Sequence, residues 1–384
     1  MCMQEHDFDA IRPYFDHEIP LALKRIVSDP MFQQLMNYLF PKEDHEELRK
    51  KLLQSATTNE FQKYFMTPVI RSILNKTSEE LIAHGIENLD HSKGYVYIAN
   101  HRDIILDSAI LGISLVQHGV ETSHITWGNN LMISPFIVDV GKANRMITVF
   151  RDGSPKEMLK NSQRLSAYIR HLIKDRNKSV WIAQRKGRSK DGYDLTDDSV
   201  LKMLSLSGEN DVISSLKELN IVPVTISYEW EPCDRMKVRE MYISQNGNGY
   251  VKDKNEDLIS IIGGVVSEKG RIHLEVGEPV NGLLDSVNTN QRPNEIIHDI
   301  ASILDKIIHA NYKLWPSNYL AYDLIENTDK FKDKYDKLVE EKLDARLKKT
   351  YETVNGDPDK TREMFLKLYA NPVYIKLGIF PDKK

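Results

Sequence analysis

The sequence predicts an α/β protein: a mostly parallel mixed sheet with flanking helices, extended by helical regions at both ends. Three observations predict it. Short β-branched and aromatic runs recur at residues 95–99, 124–127, 146–150, 179–183, 221–227 and 272–276. Helical patterns separate several of them, notably 104–117 and 155–174, and such alternation favours parallel pairing. The ends lack this alternation and read as mostly helical. The expected organisation is a helical region over 1–93, a catalytic domain over 94–290 and a second helical region over 291–384.

Taken in order, residues 19–39 form an amphipathic stretch interrupted at Asp29-Pro30 and ended by Pro41. Its apolar members Leu21, Leu23, Ile26, Phe32, Leu35 and Leu39 suit either packing on the core or a peripheral membrane contact. Residues 59–84 read as one long helix or two abutting ones. Within the middle, Asn246-Gly247-Asn248-Gly249 reads as a hairpin tip. Beyond Pro293 the pattern is helical again, and the densely charged stretch 330–349 reads as a solvated helix.

Composition narrows the function. Apolar residues make up 41% and charged residues 28% of 384 positions, an ordinary balance for a water-soluble fold. No stretch reaches the roughly 18 uncharged apolar residues that span a bilayer, and the first nine residues lack a secretory pattern. Cys2 and Cys233 offer neither a disulfide framework nor zinc spacing, so a reducing cytoplasm is the expected compartment. A net charge of −4 argues against a generic nucleic-acid binder. There is no G-x-S-x-G elbow and no P-loop, and the histidines are scattered without metal spacing.

Chemistry concentrates where apolar runs end. His101 follows the 95–99 run, with Asp103 and Asp107 close behind. A His beside a carboxylate is the equipment for taking a proton from a hydroxyl, the carboxylate fixing the tautomer. Asp103 also suits the first turn of the next helix, whereas Asp107 lies among Ile104, Ile105, Leu106, Ile110 and Leu111 and needs a buried partner. A basic loop, Arg185-Lys186-Gly187-Arg188-Ser189-Lys190, follows Ala183 and suits an anion such as phosphate. Gly128, Asn129 and Asn130 follow the 124–127 run, and Arg151 follows 146–150, free to face a site or the solvent. Asp152 and Ser154 are both candidate caps for the helix that follows. Pro223 cannot donate to a ladder, so it marks a sheet edge or a shaped corner.

In this order the clusters resemble the glycerophospholipid acyltransferase superfamily, whose members include glycerol-3-phosphate and 1-acylglycerol-3-phosphate acyltransferases. The resemblance covers about residues 94–280. The family's His-x4-Asp dyad falls on His101 and Asp107 with one extra residue between them, Asp103 being the alternative acid. Its second motif resembles Gly128-x-Asn130-Leu131, with Arg151 as the expected phosphate ligand. Its Glu-Gly-Thr/Gly-Arg-Ser motif resembles Arg185-Lys186-Gly187-Arg188-Ser189, the usual Glu being replaced by Arg185 or Lys186. The fourth is similar to Val222-Pro223-Val224. The flanks, with Tyr312-Lys313-Leu314-Trp315-Pro316, suggest a bacterial subgroup.

The resemblance implies an O-acyltransferase of membrane phospholipid synthesis. His101 and Asp107 are its expected dyad. Gly128, Asn130, Arg151, Arg185, Lys186, Gly187, Arg188, Ser189 and Pro223 are its expected substrate-binding residues. It implies no cofactor and no metal, an acyl carrier protein or coenzyme A thioester as co-substrate, and no nucleic acid. The expected place of work is the inner face of the cell membrane, held peripherally. N–H groups at the start of the helix after His101 are the expected donors to the developing oxyanion. An amino-acid lipid or other non-phosphate acceptor, and a His/Asp-dependent thioesterase or lysolipase, are the alternative readings.

Overall fold

The computed structural model describes residues 8–208, 211–245 and 256–379. Seven strands form one sheet: β1 (Ser78–His84), β2 (Val96–Ala99), β3 (His124–Gly128), β4 (Met146–Val149), β5 (Val180–Ala183), β6 (Ile221–Tyr228) and β7 (Gly270–Val276). Their order is β1-β7-β6-β2-β5-β3-β4, and every pairing is parallel except β6 with β7. The sheet is therefore mixed and mostly parallel, as the alternating pattern predicts.

Successive side chains of a strand point to opposite faces, and the core divides accordingly. Tyr97 and Ala99 join one apolar cluster with the helices Ile19–Ser28, Pro30–Leu39, Thr67–Thr77 and Leu106–Gln117. Val96 and Ile98 join the other, with Pro155–Lys174, Asp198–Ser205 and Pro293–Asn311. A third cluster gathers the C-terminal helices Pro316–Glu326, Lys337–Val354 and Pro358–Lys376 around Trp230 and Val238. In the charged Lys337–Val354 helix only Leu343 and Thr350 are buried, so most of its charge faces water.

Two local expectations meet the structure differently. The amphipathic stretch breaks at Asp29, whose side chain accepts from Met31 N, with Pro30 opening the second helix. Leu23, Ile26, Phe32 and Leu39 are buried against the sheet and Leu35 packs on them, leaving Leu21 exposed. Core packing, not a membrane contact, claims this stripe. Residues 59–77 are helical, but 78–84 is a strand, and the sheet thus begins inside the segment expected to be helical. Glu79, Glu80, Leu81 and Ala83 favour helix intrinsically, yet parallel pairing with Arg271–Glu275 overrides that weak preference. The expected hairpin tip at 246–249 lies outside the described residues.

A buried histidine ties stability to pH. His124 opens β3, and its ring Nδ1 has no partner. Burial, reinforced by Arg145, pushes its pKa down to about 3. As pH falls below the ordinary value near 6.5, the unfolded chain takes up this proton while the folded chain does not. The stabilisation is thus complete above that value and is lost towards pH 3, at up to about 1.4 kcal/mol per pH unit. The urea midpoint should be lower at pH 5 than at pH 7, with a shallower fall in His124→Gln. Some slope will persist because burial and His84 push His273 down to about 4. An equal pH slope in both proteins would refute the role of His124.

Candidate active site

The chain leaves β2 at Ala99 and turns into the Leu106–Gln117 helix, and this turn holds the candidate pair His101 and Asp107. His101 Nδ1 donates to Asp107 Oδ2 at 2.9 Å. The same oxygen accepts Arg102 N at 2.7 Å and Asp103 N at 2.9 Å, while Oδ1 accepts the Tyr228 hydroxyl at 2.9 Å. Asp107 is buried, so four donors replace the water it has lost. Burial and then the Asp107 charge push the Tyr228 phenol well above its usual value, which keeps it a donor. With Nδ1 on the carboxylate, Nε2 is left as the basic nitrogen.

Asp103 has a different task. Its Oδ1 accepts Ile105 N and Leu106 N, both at 2.9 Å, closing the first turn of the helix. Geometry therefore selects Asp107 as the partner of His101. The N–H groups of Arg102, Asp103, Ile105 and Leu106 are thereby engaged by two buried carboxylates. They are not free for an oxyanion, because orphan donors at a helix start are claimed by the nearest acceptors.

His101 lines a cleft of about 730 Å³ at the ends of β2, β3, β4 and β5. Gly128, Asn130, Arg151, Arg185, Lys186, Gly187 and Arg188 line it too. Several bonds draw these clusters together. Ser189 N donates to His101 O at 2.7 Å, tying the basic loop to the dyad. Asn129 Oδ1 accepts Arg151 N at 3.1 Å, tying two strand ends. Gly128 is small for a reason: a Cβ there would lie 2.8 Å from Arg151 Nε and 2.5 Å from Asn130 Oδ1. Gly187 adopts a φ of 75°, which suits a residue without a side chain.

Arg151 turns to the cleft, and burial lowers its pKa while Asp257 opposes the fall. The cap behind it is Ser154, which accepts Glu157 N while the Glu157 carboxylate accepts Ser154 N. Arg188 is buried; its Nη2 donates to Ser260 Oγ at 3.1 Å and its Nη1 has no partner. Lys186 is exposed, and Lys190 pairs with Glu240. The apolar part of the lining is Trp127, Phe150, Met158, Leu165 and Met203. Trp181 meets the His101 ring edge to face, 5.8 Å between centroids.

Two expected residues lie outside the cleft lining. Ser189 is buried behind it, its hydroxyl donating to Tyr193 O. Pro223 lies in β6, an interior strand, opposite Ile98 and one residue before antiparallel pairing with β7 starts at Val224. Its carbonyl accepts Gly277 N, so it shapes a corner of the sheet and is not at an edge.

A charged network behind the dyad escaped the sequence reading. Arg102 is completely buried and donates to Asp194 Oδ2 at 2.6 Å and to Glu231 Oε2 at 3.2 Å. Burial opposes its charge, but Asp194, Tyr312 and Glu231 hold it protonated, well above its usual value. Lys237 pairs with the other oxygen of Glu231. Asn100 braces the same corner, donating to Asp194 Oδ2 and Ile226 O and accepting Ile226 N. The signal available was the position of Arg102 in a polar turn between two apolar runs; Asp194 carried none.

Residues 80–227 match the family model described as Acyltransferase. Among solved structures, the chain is similar to the 1-acyl-sn-glycerophosphate (LPA) acyltransferase PlsC from Thermotoga maritima. That likeness has 13% identity and a TM-score of 0.37, over 77% of this chain and 96% of that one. No curated protein matches. The matched segment holds His101, Asp107, most of the cleft lining and the basic loop, and this part of the chain is an acyltransferase domain.

Proposed function

We propose that the protein transfers a fatty acyl group from an acyl-carrier-protein or coenzyme A thioester to a hydroxyl of glycerol-3-phosphate or 1-acylglycerol-3-phosphate, in membrane phospholipid synthesis. One observation carries this reading. The cleft that holds His101, with Nδ1 fixed by Asp107, is lined by the cations Arg151, Arg185, Lys186 and Arg188 and by the apolar side chains Trp127, Phe150, Met158, Leu165 and Met203. A phosphate-bearing alcohol and a fatty chain are the two things such a lining suits.

The reaction follows from the geometry. His101 Nε2 takes the proton of the acceptor hydroxyl as its oxygen attacks the thioester carbonyl. A C–O bond forms, and the tetrahedral intermediate collapses by breaking the C–S bond. The leaving thiolate takes the proton back from His101. Asp107 holds the imidazole in one tautomer and balances its charge while protonated. The arginines hold the acceptor phosphate. No helix of the described residues is long and apolar enough to cross a membrane, and we place the enzyme peripherally on the inner face of the cell membrane.

The test is steady-state kinetics with each substrate varied in turn. Arg188→Ala should raise the acceptor KM by roughly tenfold or more, the worth of a charged hydrogen bond of about 1.5–3 kcal/mol. The donor KM should change little. An unchanged acceptor KM and kcat would remove phosphate from the site, and a selective rise in donor KM would assign the loop to the carrier.

A further inference from the structure

We propose that the Glu256–Val266 helix is the surface by which this enzyme docks on a phospholipid bilayer. From Leu258 to Val266 the helix carries no charged residue. Its inner face is accounted for by the active site. Asp257 accepts Asn130 Nδ2 at 3.0 Å, and Ser260 accepts Arg188. Gly264 lies so close to the catalytic turn that a Cβ would stand 2.1 Å from Asp103 Oδ2. Ile261 and Val265 pack on the main core.

Among the described residues the outer face has no such account. Ile259, Ile262 and Val266 recur at helical spacing and are 54%, 52% and 45% exposed. A helix that is apolar on both faces belongs in contact with something apolar on both. Three half-exposed side chains fall far short of the roughly 800 Å² per partner of a stable protein interface. They do suit shallow insertion into the region between headgroups and acyl chains. Charge agrees: Arg185 and exposed Lys186 stand in the same cleft that this helix walls, and cations there would meet anionic headgroups. The choice of a lipid surface rests on the lipid substrate proposed above. The helix would bring the cleft mouth to where a lysolipid acceptor resides.

The test uses the full chain and vesicles of phosphatidylethanolamine with phosphatidylglycerol. The wild type should sediment with the vesicles, and Ile259→Asp/Ile262→Asp should bind at least about tenfold less. Turnover of soluble short-chain substrates should stay within about twofold, since neither side chain lines the cleft. Ile262→Trp keeps an apolar residue, and its emission should shift to the blue on adding vesicles. Equal binding of wild type and double variant, or no shift, overturns the proposal. A wild-type dimer that the double variant dissociates would assign the stripe to a second copy instead. Stripe-dependent vesicle binding without turnover of any acceptor would leave the docking surface standing and reject the proposed reaction.

Discussion

His101→Ala leaves a folded protein whose acyl transfer falls by roughly 10²–10⁴-fold, the usual loss of a positioned general base. The two halves of this expectation have separate grounds. Stability survives because the imidazole borders the cleft and its removal strands no buried group. Asp107 Oδ2 keeps Arg102 N and Asp103 N, and Oδ1 keeps Tyr228. Turnover does not survive, because the cleft's other proton acceptors, Glu240 and Asp257, are engaged by Lys190 and by Asn130 Nδ2, and its arginines are permanent cations. Thermal unfolding and initial rates with a thioester donor check both halves. A folded variant with near wild-type turnover would transfer the base role away from His101.

The sequence exposed this site unevenly, and the reasons are physical. His101, Arg151 and the 185–188 loop were legible because each follows a short β-rich run, and parallel strands deliver such ends to one edge of a sheet. The Pro155–Lys174 helix was legible to its limits because Ser154, Pro155 and Glu157 all mark its start. The Ser78–His84 strand was hidden because its residues favour helix and its partner lies nearly two hundred residues away. Long-range charge was hidden for the same reason. Nothing near Asp194 announces Arg102, and only the folded chain brings Glu231 and Lys237 to the same corner. Pro223 left two readings open, edge or corner, and only the folded chain decides for the corner: it pairs in register with β2 one residue before pairing with β7 starts.

Asp107→Asn should remain folded and lose much of its turnover, on the order of 10²-fold or more, while Asp103→Asn should stay near wild type. An amide at 107 can keep its oxygen towards His101, Arg102 N and Asp103 N. Its NH₂ then faces the Tyr228 hydroxyl, which can turn to accept. What is lost is the negative charge that balances the imidazolium as it forms. Asp107→Ala is the contrasting case. It orphans two backbone donors and a buried phenol, each worth about 1–3 kcal/mol when left unpaired, so the fold itself should weaken. At 103 the side chain closes a helix turn through Oδ1 alone, and an asparagine oxygen performs that task equally well. Rates and unfolding midpoints for the three variants separate charge from architecture. If Asp103→Asn abolished transfer while Asp107→Asn did not, the acid of the dyad would be Asp103, and the bond between His101 and Asp107 would be only structural.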